Sequence, residues 1–279
     1  MIDQGTLVRR ILVAIDSGSN VPAGLDVAVE LANRLRAELQ GLYVQDDDLF
    51  RLAALPFSTQ VNLATGGRQP LETAALEQQM TQLAGSARRR MAAAADRGQV
   101  PWTFRTVRGR IAHEIETAAA TVDLVVIEGG KHGAPALARI GLSSRTTIQN
   151  ISRSVLVLRA GARFEGTVSV LFDGTALGEK ALKMADMLTP DNNALTVLFA
   201  AQEPEVHSAL ETRAREVLGH SASAAHFRTL AVASLKALCG EAHAHQSGLL
   251  VLGADNPLLP ESGVAEILDS LTCPVLLVR

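Results

Sequence analysis

The sequence predicts an α/β protein built from two consecutive doubly wound units, each around a five-stranded parallel sheet. Three observations lead there. Strand-length apolar runs are near-continuous instead of alternating, as expected of strands covered on both faces. They are separated by stretches of helical periodicity, the pattern of right-handed strand–helix–strand crossovers. The whole series is also written twice. Asp16 and Asp173 each close the first strand of a half, "DLVVIEGG" (123–130) is answered by "GLLVLGAD" (248–255), and "SVLVLR" (154–159) by "PVLLVR" (274–279). The offset between matching points shrinks along the chain, so the first copy carries extra residues in its middle. The predicted domains are 1–160 and 166–279, joined by "RAGARFEG", whose glycines and charges suit a linker.

Taken in order, "RILVAI" is the first strand, followed by a helix in "AGLDVAVELANRLRAEL" with Leu25, Ala28, Val29, Leu31, Ala32 and Leu35 on one face. "LQGLYV" is the second strand. Residues 46–70 read as a long loop, uncommon in compact domains. Its Leu49, Phe50, Leu52, Leu55 and Phe57 are too apolar to stand freely in water, so it is expected to pack over the site or against a partner chain. A helix over 72–97, the strand "WTFRTV", the helix "IAHEIETAAA", the strand "DLVVI", a last helix and "SVLVLR" complete the first copy.

Composition sets the outer bounds. Of 279 residues, 47% are hydrophobic and only 3% aromatic, enough for a packed core built from aliphatic side chains. Lys and Arg total 26 against 29 Asp and Glu, a net charge of -3 that argues against a dedicated nucleic-acid binder. The longest apolar runs are strand-sized, so no membrane span is expected. Arg9 and Arg10 precede only five apolar residues, a poor export signal. Cys239 and Cys273 are the sole cysteines and suggest no disulfide framework. A cytoplasmic protein is expected.

In such sheets ligands bind beyond the carboxyl ends of the strands, where strand order reverses. Asp16, Val44, Glu128 and Gly129 fall at that edge in the first copy, and Asp173, Ala200 and Gly253 in the second. With "LYV", "VRGRIAHEI" and the final "TCPVLLVR", these elements in this order resemble a tandem universal stress protein. The resemblance implies adenine-nucleotide-binding-type domains that meet through their fifth strands, "VLVLR" and "VLLVR", as an intramolecular pseudo-dimer. A homodimer and an unknown protein partner remain open.

The resemblance also implies a nucleotide site. Members that bind ATP carry Gly-x2-Gly-x9-Gly-(Ser/Thr) after the fourth strand, whose N–H groups and hydroxyl cradle phosphates. By the same resemblance Asp16 would lie near the ribose and Val44 near the adenine, with metal present only as nucleotide-associated Mg. Here the phosphate loop departs. Without gaps its four positions fall on Glu128, Lys131, Gly141 and Leu142, and a carboxylate facing a phosphate costs on the order of 1 kcal/mol even in water. A two-residue bulge instead supplies Gly130 and Gly133, with Ser143 and Ser144 in the last two places. The second copy has Gly253, then Asn256, and a loop too short to wrap a triphosphate.

Other features have plainer readings. Cys239 and His243 in "CGEAHAH" are four apart, yet two ligands do not make a metal site. Arg88, Arg89 and Arg90 spread around a helix as a solvated face. No Ser/His/Asp or Cys/His set can be placed at the strand ends. The expected function is a non-catalytic stress-response module that senses a ligand or binds a partner, with a degraded ATP site. A slow ATPase using the first copy and a purely structural protein with empty pockets are the alternatives.

Overall fold

The computed structural model describes residues 8–15, 21–61, 66–129, 151–159, 164, 167–190, 194–259, 267, 270–271 and 273–279. The first half runs β1 (Arg10–Ile15), α1 (Val21–Leu35), β2 (Glu38–Asp46), α2 (Asp47–Ala53), β3 (Thr59–Val61), β4 (Arg68–Pro70), α3 (Thr73–Arg97), β5 (Trp102–Gly109), α4 (Ile111–Ala119), β6 (Leu124–Gly129) and β7 (Ser154–Arg159). The second half runs β8 (Thr167–Leu171), α5 (Ala176–Leu188), β9 (Leu195–Phe199), α6 (Pro204–Leu218), a 3-10 turn (Gly219–Ser223), β10 (His226–Thr229), α7 (Leu235–Ala244), β11 (Ser247–Gly253) and β12 (Val275–Val278).

Ten strands form one sheet in the order β10-β9-β8-β11-β12-β7-β6-β1-β2-β5. Each half contributes five parallel strands, ordered third, second, first, fourth, fifth. The fifth strands β7 and β12 pair antiparallel, Val157 opposite Val275 and Val155 opposite Leu277. The apolar strands are buried on both faces, β9 and β11 along their whole length, which explains why they lack alternation. One slab of core lies on the α1, α3, α5 and α6 side. The other lies on the α4 and α7 side. Both slabs draw side chains from both halves, so apolar packing continues across the β7–β12 seam.

The stretch 46–70, expected as a loop, holds α2 and the antiparallel β3–β4 pair. Asp46 starts α2 by accepting from the Asp48 N–H at 3.1 Å, and Asp47 and Asp48 complement the helix N-terminus. Phe50 and Ala53 are buried against Leu76 and Met80 of α3. Leu52, Leu55 and Phe57 stay exposed, Phe57 by 92%. Among the described residues, the apolar content of this insertion is therefore only partly buried. The last helix expected in the first copy lies outside the described residues.

Candidate functional site

The sheet defines where a ligand would sit. In the first half the order reverses between β1 and β6, and in the second between β8 and β11. Asp16, Gly130, Gly133, Gly141, Ser143 and Ser144 lie outside the described residues. Gly129 ends β6 opposite Arg159, one position after Glu128, which stands opposite Leu158. Val44 lies on β2 opposite Val107 of β5, its side chain 1% exposed in the same core slab as Ile115 of α4. It is a core residue at the edge of the first crevice.

In the second crevice, Asp173 and the start of the loop after β11 lie within the described residues. Gly174, with φ at 76°, turns the chain after Asp173. One Asp173 oxygen then accepts from the Thr175 N–H at 3.0 Å and from its hydroxyl at 2.7 Å. That hydroxyl in turn caps α5 by accepting from the Gly178 N–H at 2.9 Å. A Cβ at Gly178 would sit 2.2 Å from the same carboxylate oxygen, so only glycine lets Asp173 lie against the first turn of α5. The other Asp173 oxygen accepts from the Asn256 amide at 2.9 Å. Asn256 is 3% exposed, and its own carbonyl accepts from the Leu258 N–H at 3.0 Å.

The loop after β11 thus folds back over the strand ends. Leu258 and Leu259 pack on the core slab that also holds the buried Leu230. The Gln202 amide donates to the Leu230 carbonyl at 2.8 Å, tying the ends of β9 and β10 together. A Cβ at Gly253 would lie 3.3 Å from Asp255 Oδ1, 3.5 Å from Leu177 and 3.6 Å from the Gly178 nitrogen. Lys180, a cation that could have met a phosphate, donates to the Arg279 carbonyl. Burial lowers the Arg279 guanidinium pKa, and that group donates to the Ile151 carbonyl across the seam. Among the described residues, the carboxylate of the second crevice is engaged by the chain's own donors.

Of the predicted residues, the structure brings Asp173 and Gly253 together at one crevice. Sequence reasoning missed Asn256 as the partner of Asp173. Its signal was present: Asn-Pro starts a turn, and two leucines follow it. Elsewhere, burial pushes the Cys273 thiol up to about 11, Cys239 is buried, and His245 pairs with Glu241 at 3.2 Å. Arg88, Arg89 and Arg90 are all exposed. Among the described residues no three His, Cys, Asp or Glu side chains could hold a metal, and no helix is long and apolar enough to cross a membrane. A depression of about 750 Å³ is lined by α6 alone, from Pro204 to Glu216. It is a helix surface and not an enclosed site.

Residues 8–159, more than half of the chain, match the model of the Universal stress protein family. The chain belongs to that family. The solved structures it resembles include a universal stress protein from Archaeoglobus fulgidus, 13% identical, covering 97% of this chain and 96% of that one at a TM-score of 0.69. A putative universal stress protein from Pseudomonas aeruginosa is 14% identical over 98% and 94%, with a TM-score of 0.56. The cytoplasmic domain of a prokaryotic cation chloride cotransporter is 9% identical over 97% and 95%, with a TM-score of 0.57. At these identities the likeness is one of fold, and it extends over both halves. No curated protein matches the chain. The order and duplication of elements that suggested a universal stress protein therefore led to the right family and fold.

Proposed function

We propose that this universal stress protein is a non-catalytic cytoplasmic module with one adenine-nucleotide-type site, in its first half, and a second half that acts as a structural counterpart. The observation that carries this reading is the engagement of Asp173. Both its oxygens are held by protein donors, and Leu258 and Leu259 of the same loop pack on the adjoining core slab. A ligand would have to break the Asn256 bond before making a contact of its own to that oxygen, at a cost of about 1 kcal/mol.

Nucleotide binding in the first half is weak in this reading, because the gapless register sets the Glu128 carboxylate at the first phosphate position. Isothermal titration of the full chain with ATP tests both points. The expected result is at most one site per chain, lost in Asp16→Ala and kept in Asp173→Ala. Two equal sites would overturn the proposal. Glu128→Gly should tighten binding several-fold in the gapless register. In the bulged register that change does little, and Gly130→Val abolishes binding by blocking close backbone approach. Steady phosphate release in the same samples would select the slow ATPase instead.

A further inference from the structure

At one margin of the molecule four residues have main-chain groups with no backbone partner among the described residues. β5 is the outermost strand at one end of the sheet and is eight residues long. The strand at the other end, β10, has only four. The Leu39 N–H donates to the Pro101 carbonyl at 2.8 Å. Along a parallel strand, each residue turns its N–H and C=O to one side, and the side alternates with every residue. The main-chain groups of Thr103, Arg105, Val107 and Gly109 therefore face β2. Those of Trp102, Phe104, Thr106 and Arg108 face outward, and none of these four makes another backbone hydrogen bond among the described residues.

The same margin carries a run of arginines, with the Glu114 carboxylate against Gly109 at its end. From Trp102 to Arg110 the chain reads "WTFRTVRGR", with three arginines and no carboxylate. Arg108 is engaged, 3.2 Å from Asp47 and 3.6 Å from Glu77, and it lies over the Phe50 ring. Arg105 and Arg110 are exposed, and neither forms an ion pair among the described residues.

We propose that the β5 edge receives an extended acidic segment of a partner protein as an eleventh strand. Main-chain bonds to the outward groups would supply the pairing, and Arg105 and Arg110 would meet carboxylates on the incoming segment. Charge on an open edge deters neutral and like-charged strands, so the arginines that guard this edge also select what is admitted to it. A second copy of the chain fits poorly, since pairing β5 with itself brings both sets of arginines into one seam.

The test is fluorescence anisotropy of a labelled eight-residue peptide alternating Glu and Val, titrated with the full chain at low salt. Saturable binding is expected, weakened about tenfold by Arg105→Glu. It should be lost in Thr106→Pro, which deletes an outward N–H and no bond to β2. A peptide alternating Lys and Val should not bind. Circular dichroism establishes that Thr106→Pro keeps its fold; should it not, the Arg105→Glu comparison and the Lys–Val peptide decide alone. The proposal falls if the acidic peptide fails to saturate at millimolar chain, if the basic peptide binds equally, or if Arg105→Glu changes nothing. Sedimentation showing a dimer that Thr106→Pro dissolves would assign the edge to a second copy and also overturn it.

Discussion

Replacing Asn256 by alanine would leave the Asp173 carboxylate without its second-side donor. Asp173 is half-buried, so water replaces part of the lost donor, and Asn256→Ala should lower stability by about 1 kcal/mol in urea unfolding. Asp173→Ala removes the acceptor and also loosens the Thr175 cap of α5. Because the two changes share one hydrogen bond, their combination should cost less than the sum by about 1 kcal/mol. Strict additivity would mean that the bond contributes nothing. Asn256→Ala should not create an ATP site, since the loop after β11 stays too short to wrap a triphosphate. The sequence shows an aspartate just past the end of β8, but its partner was illegible. A carboxylate ending a strand looks the same whether its donor is a ribose hydroxyl or an asparagine 83 residues away.

Strands and major helices were legible because burial writes itself into the chain as long apolar runs and helical stripes. The α1 stripe is a good case, with Leu25, Ala28, Leu31, Ala32 and Leu35 all buried as the spacing predicts. The insertion between β2 and α3 was not, because α2 has only seven residues and its two buried contacts give too little period to detect. Its start was readable in hindsight, in Asp46 followed by two acidic residues. Two devices hold this helix, and their magnitudes differ. Arg108 is 44% exposed at its side chain, so its ion pairs contribute about 0–1 kcal/mol and its position over Phe50 about 0.5–1 kcal/mol. Phe50 is 2% exposed, and its truncation to alanine costs about 3 kcal/mol or more. Hydrogen exchange over residues 47–53 should therefore rise steeply in Phe50→Ala and only slightly in Arg108→Ala. The reverse ranking would show that electrostatics, and not packing, docks α2.

Across the whole molecule, the duplication raises the question of whether two units fold or one. The seam answers it through its geometry. Val155, Val157, Val275 and Leu277 belong to one core slab, and Leu156, Leu158, Leu276 and Val278 to the other. Each slab therefore crosses from one half to the other without a break. Polar ties follow the same line: the Arg279 N–H donates to the buried Ser154 hydroxyl at 3.2 Å. On the outer side, Arg34 of α1 reaches the Leu188 carbonyl at 3.5 Å and lies over Phe164. With so much apolar surface shared, neither half keeps its core closed when the other unfolds, and a single cooperative transition is expected. Val157 and Leu277 are 2% and 1% exposed. Aspartate at either position buries a carboxylate with no donor and should cost at least about 3 kcal/mol. Because the seam belongs to both halves, thermal unfolding followed by exchange at β2 and at β9 should shift downward by the same amount in each variant. If Val157→Asp moved only the first half, or Leu277→Asp only the second, the ten strands would be two sheets laid edge to edge and not one folding unit.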